Sequence, residues 1–184
     1  DKCVMKFNGM WSFAIWDSLK KELFLSRDRF GKKPLFYAEI DGKLIFASEM
    51  KAIFPFLKKV EISKDFQWIK KNIFLYEATD KCLIKNIKRF PIGSNGIYKN
   101  GKLKILRYWN TLDHLHDVPK NYNDQVDQFR ELLFDACKIR MRSDVSIGTA
   151  LSGGLDSSAI ISSMSYLSKG KIDYGKKHWQ QAFV

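Results

Sequence analysis

Residues 10–16, Met-Trp-Ser-Phe-Ala-Ile-Trp, form a nearly continuous apolar run between Asn8-Gly9 and Asp17-Ser18. Such a run predicts a strand buried on both faces. After the polar turn at Lys20-Lys21, Glu22–Ser26 predicts a second strand. Tyr37–Ile40 and Lys43–Ser48 flank Asp41-Gly42, and Gly96–Lys99 and Lys102–Trp109 flank Asn100-Gly101. Both dipeptides accept the left-handed backbone that two-residue hairpins need, so both predict hairpins. Between them, Glu49–Phe54 predicts a short helix stopped by Pro55. The spacing of Phe66, Ile69 and Ile73 predicts a helix over Ser63–Tyr76 with Ser63 as its cap.

The texture changes near residue 110. Residues 110–124 are polar and predict a linker. Asp124 is then expected to cap an amphipathic helix carrying Val126, Phe129, Leu132, Leu133, Ala136 and Cys137 on one face. A short apolar strand, Ser146–Leu151, leads into Ser152-Gly153-Gly154-Leu155-Asp156-Ser157-Ser158, followed by a helix through Ala159–Leu167. Helix, strand, glycine loop and helix is the opening of an α/β domain with a parallel sheet, and the boundary falls near residue 118. Gln181-Ala182-Phe183-Val184 reads as the start of a further buried strand. With no initiating Met before Asp1, the chain is expected to be a piece of something larger.

Composition adds constraints rather than a function. The formal charge is +12, from 32 Lys+Arg against 20 Asp+Glu. Anionic partners are favoured, but lysines such as Lys20, Lys33, Lys58, Lys70, Lys88, Lys104 and Lys171 are dispersed without a basic block. A generally basic solvated surface is therefore expected, and no nucleic-acid partner. Cys3, Cys82 and Cys137 are widely spaced and odd in number, which predicts free thiols in a reducing, cytoplasmic setting. Cys137 falls on an apolar helix face and reads as buried. His114, His116 and His178 are not arranged as metal ligands. No apolar run reaches the roughly 18 residues of a membrane span, so no membrane partner is expected.

The candidate chemistry lies in the glycine loop. Two glycines remove side chains where the backbone curls toward a ligand, and the following helix presents free N–H groups and a positive dipole end. Ser152, Ser157 and Ser158 add hydroxyls. Asp156 suits a phosphate site only with a cation between, which points to Mg²⁺. The loop is not a Walker A motif, because no Gly-Lys-Ser/Thr follows; nor does it have the third glycine of a dinucleotide fingerprint. Arg27-Asp28 and Lys33 invite a catalytic reading, but a charged turn shaped by Gly31 and Pro34 accounts for them. Ser48-Glu49 reads as a helix start complemented by the dipole, with contact to a second domain as the alternative.

Ser152–Ser157 resembles the signature of ATP-pyrophosphatase (PP-loop) enzymes. Phe7–Ala14, Arg27–Leu35, Ala47–Ala52, Ile87–Gly93 and Arg107-Tyr108-Trp109 resemble, in order, class II glutamine amidotransferases of the N-terminal-nucleophile (Ntn) type. Together they resemble glutamine-dependent asparagine synthetases over nearly the whole chain. The resemblance implies an α/β protein with an α+β N-terminal part. Residues 1–118 would be the C-terminal portion of an Ntn-type αββα glutaminase domain, and 119–184 the start of a parallel-sheet PP-loop synthetase domain. It implies ATP and Mg²⁺ as cofactors, and glutamine and an acidic carboxylate as substrates, with a homodimer left open. Leu151, Ser152, Gly153, Gly154, Asp156, Ser157 and Val184 would hold ATP and pyrophosphate, with Asp156 on the metal. The family's N-terminal cysteine nucleophile has no counterpart here. Cys3 lies just before the Phe7-Asn8-Gly9 match, well beyond the nucleophile's place, so this chain alone is expected to be inactive. The alternatives are a non-catalytic nucleotide-binding homologue and a tRNA-modifying PP-loop enzyme.

Overall fold

The computed structural model describes residues 2–168 and 180–184, so Lys171 and His178 lie outside the described residues. The chain divides into two compact units, Asp1–Leu115 and His116–Val184.

The first unit opens with a 3-10 helix, Lys2–Lys6, and then forms strands β1 (Ser12–Asp17), β2 (Glu22–Arg27), β3 (Phe36–Ile40) and β4 (Lys43–Ala47). The turn between β1 and β2 is shaped by Asp17, whose carboxylate accepts from the N–H groups of Leu19 and Lys20, both at 3.0 Å. Asp41 (φ 48°) and Gly42 (φ 72°) form the predicted hairpin turn between β3 and β4. A 3-10 helix, Met50–Phe56, follows, with Pro55 inside it rather than stopping it at Phe54. The fixed φ of proline suits such a turn, and its missing N–H costs little in so short a helix. Glu49 is the N-cap residue, but its side chain makes no capping bond and instead pairs with Lys51 at 2.7 Å.

The helix expected over Ser63–Tyr76 is two short ones, α1 (Phe66–Lys71) and α2 (Ile73–Tyr76). Asn72 interrupts them at φ −127°, ψ 43°, and its side-chain amide donates to the carbonyl of Trp68 at 2.9 Å. An asparagine that bonds its own backbone competes with the helix ladder, which the apolar periodicity could not register. Ser63 does not cap α1: the N-cap residue is Asp65, and the Ser63 hydroxyl accepts from its N–H at 3.2 Å. Strands β5 (Lys88–Arg89), β6 (Ser94–Lys99) and β7 (Lys102–Arg107) complete the unit, with Asn100 (φ 50°) and Gly101 (φ 76°) turning the second predicted hairpin.

These strands make two antiparallel sheets, in the orders β1-β2-β6-β7 and β4-β3-β5. Leu25 from the first sheet, Tyr37 from the second, and Leu35 and Phe90 beside them form a shared core. Alternation along β3 sends Phe36 and Ala38 to the opposite face, where they pack with Ile53, Cys82 and Ile87. Burial pushes the Cys82 thiol up to about 11, which makes it an inert core thiol. Cys3 is exposed. β1 is not buried on both faces as its composition suggested. It is an edge strand, with Ile15 and Trp16 more than half exposed, because pairing on one side only is invisible to a hydrophobicity count.

Arg27 and Asp28, expected as a charged surface turn, are each 1% exposed. The Arg27 guanidinium donates to the carbonyls of Lys33 (2.8 Å), Gly31 (2.8 Å) and Phe90 (2.6 Å). The Asp28 carboxylate accepts from the N–H groups of Trp11 (3.3 Å), Phe30 (3.1 Å), Lys32 (2.9 Å) and Lys33 (2.9 Å). The two side chains therefore supply the missing hydrogen bonds of an internal loop, a tertiary role that charge alone does not announce. Burial pulls the arginine's proton affinity down from its ordinary value. Gly31 sits at φ 63° inside this loop. A Cβ there would lie 2.3 Å from Ile92 Cγ2 and 3.0 Å from the Arg27 guanidinium carbon. Gly31→Ala is expected to cost about 3 kcal/mol, from left-handed strain of roughly 1–2 and overpacking of roughly 1–3. Urea denaturation checks this, and a loss below about 1 kcal/mol would contradict the packing described.

Near the end of the unit, Trp109 is sandwiched between Arg29, 4.1 Å from the ring centroid, and His114, stacked at 3.8 Å. Part of the predicted linker is thus ordered by a 3-10 helix, Thr111–His114.

In the second unit, α3 (Tyr122–Arg140) begins two residues before Asp124. Asn121 caps it by accepting from the Asn123 N–H at 2.8 Å, leaving Asp124 in the first turn, where its charge complements the dipole. Two asparagines preceding the aspartate made the cap ambiguous in sequence. β8 (Ile147–Ala150), α4 (Leu155–Ser168) and β9 (Gln180–Phe183) follow, with β8 and β9 parallel. Cys137 is buried with Met141 and Met164. The same burial raises its thiol above its ordinary value. Phe129 and Leu132 of the predicted apolar face remain exposed. So do Phe183 and Val184, where a buried strand was expected. Among the described residues, no helix is long and apolar enough to cross a membrane.

Candidate nucleotide-binding loop

The loop lies where β8 gives way to α4. β8 ends at Ala150, and the Leu151 N–H donates to the Phe183 carbonyl at 2.7 Å, extending the parallel pairing by one bond. Leu151 and Val184 thereby stand side by side at the carboxyl ends of adjacent parallel strands, the position where open α/β sheets bind ligands.

Gly153 adopts φ 80°, a left-handed conformation that reverses the chain with open space around its α-carbon. The helix then starts at Leu155, four residues earlier than Ala159. Leu155, Asp156, Ser157 and Ser158 therefore belong to its first turn. The Ser158 N–H closes the first helical bond, to the Gly154 carbonyl at 3.1 Å. The N–H groups of Leu155, Asp156 and Ser157 precede that bond, so helix geometry provides them no intrahelical acceptor. They point out of the N-terminus beside Gly153 and Gly154. Sequence reasoning placed the hydroxyls and carboxylate in the loop and missed that they ride on a helix. The signal was present in the glycine pair followed by a serine- and aspartate-rich first turn.

Ser152 Oγ and Ser157 Oγ are 3.2 Å apart, and the Ser157 hydroxyl donates to the Gly154 carbonyl at 3.1 Å. The two hydroxyls are thus held together across the loop. Asp156 is exposed, and among the described residues its carboxylate has no hydrogen-bond or ion-pair partner. Ser152, Gly153, Gly154, Asp156 and Ser157 are brought together at one end of the β8–β9 pair, with Leu151 and Val184 on the strand ends beside them. The donor set is hard oxygen, which suits Mg²⁺ shared with phosphate oxygens. Among the described residues, no group of three or more His, Cys, Asp or Glu side chains is placed to hold a metal by itself. His114 stacks on Trp109 and joins no such group.

A family model described as a glutamine amidotransferase domain matches residues 1–109, more than half of the chain. A second, described as asparagine synthase, matches residues 128–179. The first match sets the class, a glutamine amidotransferase. The chain belongs to the glutamine amidotransferase family, and its second part is similar to asparagine synthases.

Its relatives include a Methanocaldococcus jannaschii protein named for glutamine-hydrolysing asparagine synthetase activity. It is 39% identical over 88% of this chain and 32% of its own length. Asparagine synthetase [glutamine-hydrolyzing] 3 of Bacillus subtilis is 35% identical over 87% of this chain and 26% of its own. Amidase chyE of Penicillium rubens is 29% identical over 85% and 23%. The chain spans about a third or less of the length of these relatives.

Proposed function

We propose that this chain is part of an enzyme that adenylates a carboxylate with ATP and amidates it with ammonia freed from glutamine. The observation that carries the proposal is the helix-borne Gly153-Gly154 loop, with Asp156 unpartnered beside it, in a chain whose first 109 residues match a glutamine amidotransferase domain. On this reading, residues 1–118 are the C-terminal part of an Ntn-type αββα glutaminase domain, and the two antiparallel sheets are its central layers. Residues 119–184 begin a PP-loop synthetase domain whose parallel sheet includes β8 and β9.

In that reaction an acceptor carboxylate oxygen attacks the α-phosphorus of ATP and pyrophosphate leaves. Ammonia then attacks the acyl carbon and AMP departs. The N–H groups of Leu155, Asp156 and Ser157, with the Ser152 and Ser157 hydroxyls, hold the β- and γ-phosphate oxygens. They stabilise the charge that accumulates on the departing pyrophosphate. Asp156 holds Mg²⁺, which neutralises phosphate charge when bound. Leu151 and Val184 border the adenosine. An acidic carboxylate such as aspartate is the acceptor that fits the family, and the enzyme works in the cytoplasm, with the thiols of Cys3, Cys82 and Cys137 reduced.

The test uses the full-length protein with ATP, Mg²⁺, glutamine or ammonia, and a panel of carboxylates headed by aspartate. Formation of AMP and pyrophosphate that depends on both nitrogen donor and acceptor is the expected result. Nucleotide binding without turnover on any acceptor would instead identify a non-catalytic homologue. Steeply salt-dependent tRNA binding with modification would point to the tRNA-modifying class.

A further inference from the structure

The sequence contains three Asn-Gly dipeptides, Asn8-Gly9, Asn95-Gly96 and Asn100-Gly101. In each, a glycine without a side chain leaves the following amide nitrogen open to approach by the asparagine side chain. In an unfolded chain the three are chemically equivalent. The fold makes them different.

Asn95 and Gly96 lie in β6, an interior strand of the four-stranded sheet. Gly96 faces Leu25 on one side and Ile105 on the other, so its N–H belongs to a ladder. Asn95 is only 9% exposed, and a Cβ on Gly96 would already press on the Phe90 ring at 2.9 Å. Asn100 and Gly101 are exposed, but both are held in left-handed backbone by the Lys99–Lys102 pair that closes the hairpin.

Asn8-Gly9 belongs to no ladder and closes no hairpin, and Gly9 alone of the pair takes a positive φ, 154°. The segment is pinned at Phe7, whose N–H donates to Val4, and at Trp11, whose N–H donates to Asp28. The Phe7 and Trp11 rings meet edge-to-face at 5.3 Å. Between those anchors Asn8, Gly9 and Met10 are exposed and belong to no helix or strand. Among the described residues neither Asn8 nor Gly9 has a hydrogen-bond partner. A Cβ on Gly9 would meet nothing within 4 Å.

We infer that Asn8 is the site at which this protein modifies itself, by attack of the Gly9 amide nitrogen on the Asn8 side-chain carbonyl carbon. The new C–N bond closes a succinimide. The side-chain nitrogen leaves as ammonia, taking up the proton lost from the Gly9 N–H. Water then adds to either ring carbonyl and opens the ring to aspartate or isoaspartate, with no change in oxidation state. One added carboxylate lowers the formal charge of +12 by one. The isoaspartyl product also lengthens the backbone by one carbon just before Trp11, whose N–H anchors the buried Asp28.

Incubation of the full-length protein at mildly alkaline pH, followed by peptide mass mapping and isoaspartyl-specific methylation, reads the three sites separately. In native buffer, Asn8 is expected to convert fastest and Asn100 more slowly. Asn95, which reacts only when the sheet opens, is expected to lag its own denatured rate by roughly a thousandfold or more. In denaturant the three rates should converge. Asn8→Gln should remove the leading product and the accompanying charge variant on ion exchange. Native conversion at Asn100 ahead of Asn8, or native protection of Asn8 as strong as that of Asn95, would overturn the assignment.

Discussion

Replacing Asp156 with alanine is expected to weaken binding of ATP in the presence of Mg²⁺ by tenfold or more, about 1.4 kcal/mol for each factor of ten. The carboxylate stands exposed in the first turn of α4, and among the described residues it has no partner, so little of the fold depends on it. Its proposed work is to share a cation with phosphate oxygens. Without that cation the same carboxylate repels the nucleotide. The sign of the effect should therefore reverse when Mg²⁺ is chelated: the variant should then bind ATP as well as the parent or better. Calorimetric titration with and without EDTA measures both arms. Equal Mg²⁺-dependent affinities for parent and variant would remove the role assigned to Asp156. Weakening of the same size in both arms would show that the residue shapes the loop instead of holding metal.

A loss of about 3–5 kcal/mol is expected when Arg27 is replaced by methionine, because three carbonyls, the buried one of Phe90 among them, lose their donors and Asp28 stays buried without its cationic neighbour. Typical domains hold only 5–15 kcal/mol in total, so the variant should be marginal at best. Arg27→Lys should rescue little of this. A single ammonium cannot reproduce the fork that reaches Lys33, Gly31 and Phe90 together. Asp28→Asn tests the other half. The amide replaces one acceptor oxygen with a donor facing the N–H groups of Phe30, Lys32, Lys33 and Trp11. Chemical denaturation of the three variants checks these outcomes. A loss near zero for Arg27→Met would mean that the loop is supported in some other way.

The two sites contrast in how openly the sequence displayed them. In the glycine loop, the proposed chemistry is local: serines, glycines and an aspartate within seven residues, between a short strand and a helix. Composition and spacing located the turn between strand and helix there, apart from the helix start at Leu155. In the Arg27–Asp28 loop the same kinds of residues carry a different meaning. Their partners include Trp11 and Phe90, seventeen and sixty-three positions away along the chain. Nothing nearby distinguished a solvated turn from a buried strut.

The sequence by itself determined the hairpins at Asp41-Gly42 and Asn100-Gly101, since only residues tolerant of left-handed backbone can make those turns. It also determined that α3 is a helix and that the chain turns at Gly153, because helix periodicity and glycine's tolerance of left-handed backbone are short-range properties. Tertiary structure decided that β1 is an edge strand and that Arg27 and Asp28 are interior. It also decided which of three identical Asn-Gly pairs is left open. Each of these depends on which groups meet across the sheets or on which backbone hydrogen bonds are already taken. Both are fixed by contacts between distant residues, and a linear pattern does not carry them.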